Sequence, residues 1–150
     1  MFPMHKEFYH LNKIWCSYRA KSNQFALDES TNYIGLTNTT VIFDTNPNYS
    51  LKYILALLNS STLNYRYKSI GKQTGGGVYE YFENGVGKLP IPSATPAQQK
   101  PIITLVDKIL AAKSADPLAD TTSLESEIDT LVYDLYGLTP EEIATVEGNG

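Results

Sequence analysis

A single cysteine, Cys16, leaves no intrachain disulfide possible, and a chain of 150 residues does not need one. A domain of this length buries roughly 68–70% of the surface its unfolded chain exposes, so an apolar core suffices. One free thiol fits a reducing compartment, and the expected location is cytoplasmic. Histidine is scarce: His5 and His10 stand near the amino end, read as surface residues and make no zinc-spaced cluster with Cys16. The longest apolar run, Tyr53 to Leu58, is far below the roughly 20 residues of a bilayer-spanning helix. Residues 1–10 carry no apolar stretch of signal-peptide length, so no export and no membrane are expected. A glycine-rich dinucleotide fingerprint and a P-loop are both missing. No catalytic residue and no metal site is therefore expected, and the chain by itself is expected not to be an enzyme. Cys16 lies in a β-forming stretch, where a core residue is the plainer reading than a nucleophile.

What is present is unevenly distributed. The net charge is −4, yet residues 1–100 hold ten Lys and Arg against six Asp and Glu, whereas residues 101–150 hold two against ten. The balances, +4 and −8, suggest two surfaces with different partners. The basic part suits phosphates, and the acidic part does not.

Residues 13–19 (KIWCSYR) are rich in β-formers and predict a strand. Residues 33–43 predict one or two strands, broken at Thr37-Asn38-Thr39. Asn46-Pro47-Asn48 is a turn signal, and Ser50 can cap a helix of roughly residues 51–68. In it Leu51, Ile54, Leu55 and Leu58 form one stripe, and Asn59-Ser60-Ser61 weakens the middle. Gly75-Gly76-Gly77 predicts a loop, Val78–Phe82 a strand, Gly85 and Gly87 a turn, and Leu89-Pro90-Ile91-Pro92 extended chain. Thr95-Pro96-Ala97-Gln98 is a capping box opening a long helix, which Pro101 is expected to kink or delay. A second helix from about Leu124 stops at Gly137, and Thr139-Pro140-Glu141-Glu142 opens a short third. The expected fold class is α+β: a small mixed or antiparallel sheet with a packed helix, followed by a C-terminal antiparallel helical hairpin. The expected division is a β-rich lobe with one central helix, residues 1–93, and a helical spacer or docking region, residues 94–150.

Two stretches offer binding chemistry. Arg19, Lys21, Asn23 and Gln24 are the residue types that read base edges, Arg to guanine and Asn or Gln to adenine. They could equally be a solvated strand end. Lys72, Gln73 and Thr74 lead into Gly75, Gly76 and Gly77, with Arg66 and Lys68 nearby. Consecutive glycines allow positive φ and close approach to a DNA backbone or groove, or else simply a flexible connector. Asn46-Pro47-Asn48-Tyr49 approaches the base-binding motif of amino-methyltransferases, but Asn48 replaces the second proline and no cofactor loop precedes it. A turn followed by a helix cap is the plainer reading.

Three segments in order carry a resemblance: Tyr53–Tyr65 (YILALLNSSTLNY), Gly75–Tyr81 (GGGVYEY) and Lys88–Pro92 (KLPIP). The closing stretch Ile128–Ile143 and the entry Asn12–Arg19 fit the same pattern. Over roughly residues 12–147 the chain resembles the TaqI-like C-terminal specificity domain of type IIG restriction-modification enzymes and related adenine methyltransferases. The resemblance implies sequence-specific recognition of double-stranded DNA beside an N-terminal methyltransferase domain or subunit. That partner would methylate adenine at N6. S-adenosylmethionine, with Mg2+ as a further candidate, would belong to the parent enzyme, and no cofactor to this chain. A catalytic domain is missing here, which implies a fragment, an expressed domain or a detached subunit. Because specificity residues vary among such domains, the family does not supply the base contacts. The alternatives are a protein-protein interaction scaffold, a specificity subunit of a type I-like or phage-defence system, and a tyrosine-rich carbohydrate-binding module.

Overall fold

The computed structural model describes residues 10–30, 38–43 and 46–148. His5, Tyr33, Ile34 and Thr37 lie outside the described residues. The fold is α+β, but the one sheet expected from the sequence is two, each three-stranded and antiparallel. The first has order β3-β1-β4, from β1 (Lys13–Ser17), β3 (Phe25–Asp28) and β4 (Thr39–Phe43). The second has order β2-β6-β5, from β2 (Arg19–Ala20), β5 (Lys72–Gly75) and β6 (Val78–Glu80). The strand expected over residues 13–19 serves both. It leaves the first sheet at Tyr18, whose N–H donates to Asn38 and whose carbonyl accepts from Tyr81. An edge-on contact with Phe82 at 4.5 Å holds the Tyr18 ring. The break expected at residues 37–39 does not include Thr39, which already pairs with Ser17 in β4.

The helix expected over residues 51–68 is two helices, α1 (Leu51–Asn59) and α2 (Ser61–Ile70). Ser60 divides them with extended backbone at ψ 155°. Its hydroxyl donates to the Leu57 carbonyl at 2.6 Å and accepts from the Leu63 N–H, closing one helix and opening the next. A serine buried at such a junction satisfies backbone groups that a continuous helix would pair differently. Asp129 completes the junction from the C-terminal helices. It accepts from the Ser61 N–H at 2.8 Å and the Ser61 hydroxyl at 2.6 Å.

Two more expectations give way. Gly75 belongs to β5, so only Gly76 and Gly77 form the loop between β5 and β6. Gly85 is not in a turn but inside a short helix, α3 (Glu83–Val86). The remaining helices are α4 (Pro96–Ala115), α5 (Thr122–Tyr136) and α6 (Pro140–Val146). The two expected capping boxes open α4 and α6, and Gly137 ends α5 in the left-handed conformation at φ 65°. Pro101 does not delay α4, which starts at Pro96 and continues through it.

One apolar cluster unites the elements. Ile14 of β1, Tyr53, Leu57 and Leu58 of α1, Leu63 and Tyr67 of α2, Ile102 and Leu105 of α4, and Ile128 and Val132 of α5 are all buried in it. Buried Gln99 stitches the start of α4 to the start of α1. Its carbonyl accepts from the Ser50 N–H at 3.0 Å, and its amide donates to the Asn48 and Ala94 carbonyls at 2.9 Å. Among the described residues no helix is long and apolar enough to cross a membrane.

Candidate nucleic-acid interface

The second sheet positions the cations. β6 is its centre, with Arg19 of β2 registered against Glu80 on one side and Lys72 of β5 on the other. Arg19 Nη2 donates to Glu80 Oε1 at 3.0 Å, and Lys72 Nζ lies 3.1 Å from Glu80 Oε2. The hydrogen bond from Arg19, with Lys72 adding to it, holds the Glu80 carboxyl below the usual carboxylate range against the opposing effect of burial. Arg19 also lies over the Tyr18 ring, 5.4 Å from its centroid.

β5 and β6 form a hairpin. Gly75 pairs with Val78, leaving Gly76 and Gly77 as a two-residue loop with φ of 60° and 74°. Both central residues with positive φ define the primed turn that matches strand twist, and only glycine takes it readily. Thr74 falls in a register shift between Gln73 and Gly75, a bulge that strengthens local twist. Every residue from Lys72 to Gly77 is exposed. A side chain added at Gly75, Gly76 or Gly77 would meet nothing within 4 Å. The glycines are thus required for conformation, and they leave the tip bare.

The hairpin is anchored from behind by Tyr67 of α2. Its hydroxyl donates to the Glu80 carbonyl at 2.6 Å, and its ring stacks on Tyr81 with centroids 4.3 Å apart. A Cβ at Gly85 would come within 2.6 Å of the Tyr67 hydroxyl, and one at Gly71 within 2.7 Å of its ring. These two glycines admit the tyrosine. Lys68, exposed in the last turn of α2, is four residues from Lys72, with only Ser69, Ile70 and Gly71 between.

The structure divides the twelve residues singled out from the sequence. Arg19 and Lys72 meet at Glu80, and Gln73, Thr74, Gly75, Gly76 and Gly77 share the hairpin with Lys72. Lys21 is exposed just beyond β2. Arg66 is exposed but lines a different cavity of about 330 Å³ with Tyr65, Pro90, Tyr136 and Glu142. Asn23 is used internally: its amide donates to the Leu58 carbonyl at 2.7 Å, and its side-chain oxygen accepts from the Tyr81 hydroxyl at 2.9 Å. Gln24 lines a cleft with Asn59, Glu125 and Asp129, against the acidic helices. Glu80 and Tyr67 were not singled out. The one available signal for Glu80 was a lone acid in an alternating strand that follows the basic stretch Arg66 to Lys72.

Other candidates resolve into structure. Cys16 is buried, which pushes its thiol up to about 11 against the hydrogen bonds to Thr40. The Asn46 side chain accepts from the Asn48 N–H at 3.0 Å and its carbonyl from the Tyr49 N–H, an ordinary turn leading into the Ser50 cap.

A family model described as the TaqI-like C-terminal specificity domain matches residues 3–91, more than half of the chain. The match contains both sheets and α1 to α3. The closing segment Ile128–Ile143, which entered the resemblance read from the sequence, lies outside it. No curated protein matches the chain. With the sheets, the hairpin and the central helices all inside the matched residues, this chain belongs to the family of TaqI-like C-terminal specificity domains.

Proposed function

We propose that the chain recognises a double-stranded DNA target as the specificity domain of a restriction-modification N6-adenine methyltransferase, and that it catalyses nothing alone. Family membership supports the restriction-modification setting. The observation that carries the DNA contact is the exposed hairpin Lys72–Gly77 beside Arg19, cationic at its base and bare at its tip. A two-stranded ribbon fits the major groove, and Gln73 and Thr74 are placed on it to reach base edges. Lys72, Arg19, Lys21 and Lys68 supply charge for phosphates, which sets register rather than sequence. The acidic α5 and α6 would face the methyltransferase domain or subunit, because their charge repels a phosphate backbone. S-adenosylmethionine would bind that partner.

The test is fluorescence titration of a labelled duplex at several salt concentrations. With about three to four phosphates neutralised, the slope of log affinity against log salt is roughly −2.7 to −3.6. Replacing Lys68 and Lys72 together by Gln should flatten it by up to about 1.8. Replacing exposed Glu125 and Glu127 by Gln should leave it unchanged. A response to the glutamate pair and none to the lysine pair would reverse the polarity assigned to the molecule.

A further inference from the structure

Glu80 sits in the middle of the cationic face, yet a phosphate-binding surface has no evident need of an acid. Its side chain is 4% exposed, whereas those of Arg19 and Lys72 are 59% and 72% exposed. Two outward cations therefore share one inward anion, each taking a different carboxylate oxygen. The arrangement is fixed from the backbone. Strand register puts Arg19 and Lys72 on opposite sides of Glu80, and Tyr67 clamps the Glu80 carbonyl. A guanidinium has five N–H donors and an ammonium three. With one contact from each turned to Glu80, the remaining donors stay open to an acceptor approaching from solvent. The three side chains together carry a net charge of +1.

We infer that Glu80 is a positioning residue for DNA binding, a buried counter-charge that holds Arg19 and Lys72 in one orientation and cancels half of their joint attraction for phosphates. The inference rests on the DNA-binding reading above. Attraction to the backbone is blind to sequence, so a site that must find one target gains from holding its cations still while lowering their pull. The carboxylate does both. Neutralising it would add charge to the face without adding any group that reads a base.

The experiment measures duplex binding by the full chain across salt concentrations. Glu80→Gln keeps the shape and removes the charge. It should bind a random-sequence duplex several-fold more tightly at about 50 mM salt, with a slope steeper by about 0.9, the advantage fading as salt rises. In an Arg19→Gln, Lys72→Gln background the same change should have no such effect. A purely structural role for Glu80 would weaken binding instead. Should Glu80→Gln fail to fold by circular dichroism, the exposed cations decide the matter. If Glu80 neutralises whichever cation remains, Arg19→Gln, Lys72→Gln and the double variant should each flatten the slope by about 0.9. Additive losses, about 0.9 for each single change and 1.8 for the double, overturn the inference and leave DNA binding by this face intact. An unchanged or weaker Glu80→Gln overturns it likewise. A wild-type chain with no salt-dependent duplex binding overturns the DNA-binding reading, and this inference with it.

Discussion

Lys13 and Asp28, the terminal residues of two paired strands, form an ion pair inside the protein. The side chains are 2% and 4% exposed, with Nζ 3.3 Å from Oδ2. Burial alone would raise the Asp28 carboxyl, but hydrogen bonds from Ser30, then Lys13 and Trp15, bring it down to about 2. A carboxyl with a depressed native pKa stabilises the fold above its unfolded value, near 3.9, and that contribution disappears as pH falls toward the native value. The loss is therefore expected between about pH 4 and pH 2. Asp28→Asn should cost up to about 3–5 kcal/mol at neutral pH, because the buried ammonium loses the Asp28 carboxylate. It should also flatten that acid limb. Urea midpoints measured from pH 2 to pH 7 test both, and identical pH profiles for the two proteins would show that Asp28 is not the titrating group. None of this was legible beforehand. Lys13 and Asp28 are fifteen residues apart, and nothing local distinguishes them from two surface charges until the register sets Lys13 against Asp28.

At the scale of elements, the legible features were those with a local cause. Ser50, Thr95 and Thr139 cap helices where the capping chemistry indicated, and Gly137 stops one. The errors came from tertiary partners. The break at Ser60 is completed by Asp129 from a distant helix, and Gly85 in α3 leaves room for a tyrosine from α2. The periodicity puts Leu124, Ile128, Leu131, Val132 and Leu135 on one face of α5, and the structure fully buries only part of it. Ile128 and Val132 of α5 are buried at 6% and 0% exposure, while Leu131 and Leu135 pack only at the margin of the core. Ile128→Ala should therefore cost about 2–5 kcal/mol, and Leu131→Ala distinctly less. Comparing the two melting temperatures checks the stripe, and an equal loss would mean that it is wider than drawn. The candidate site followed the same rule. The glycine loop was visible in the sequence, but the strand that enters it was not, nor was the sharing of Glu80 by two strands, since β2 and β6 are about sixty residues apart.

Across the whole molecule, charge and chemistry are segregated along the chain. The basic stretch contains both sheets, and the acidic stretch is nearly all helix, yet Ile102, Leu105, Ile128 and Val132 join the same core as Ile14 and Leu57. The amino-methyltransferase motif is incomplete at Asn48, and its residues are occupied as a turn. The purified chain, given S-adenosylmethionine and duplex DNA, is therefore expected to transfer no methyl group. Label incorporated into DNA above a protein-free control would contradict this. The bare, bulged hairpin also has a consequence for how such a protein can change over generations. Residues 72–77 are all exposed, and the three glycine positions have empty space around them. Inheritable variation in Gln73 and Thr74 thus meets little resistance from folding, whereas variation at Tyr67, Gly71 or Gly85 meets a great deal. Gln73 and Thr74 can diverge quickly while Gly75 to Gly77 are held by their positive φ and the scaffold behind them by its own packing, so novelty and durability need not compete for the same positions.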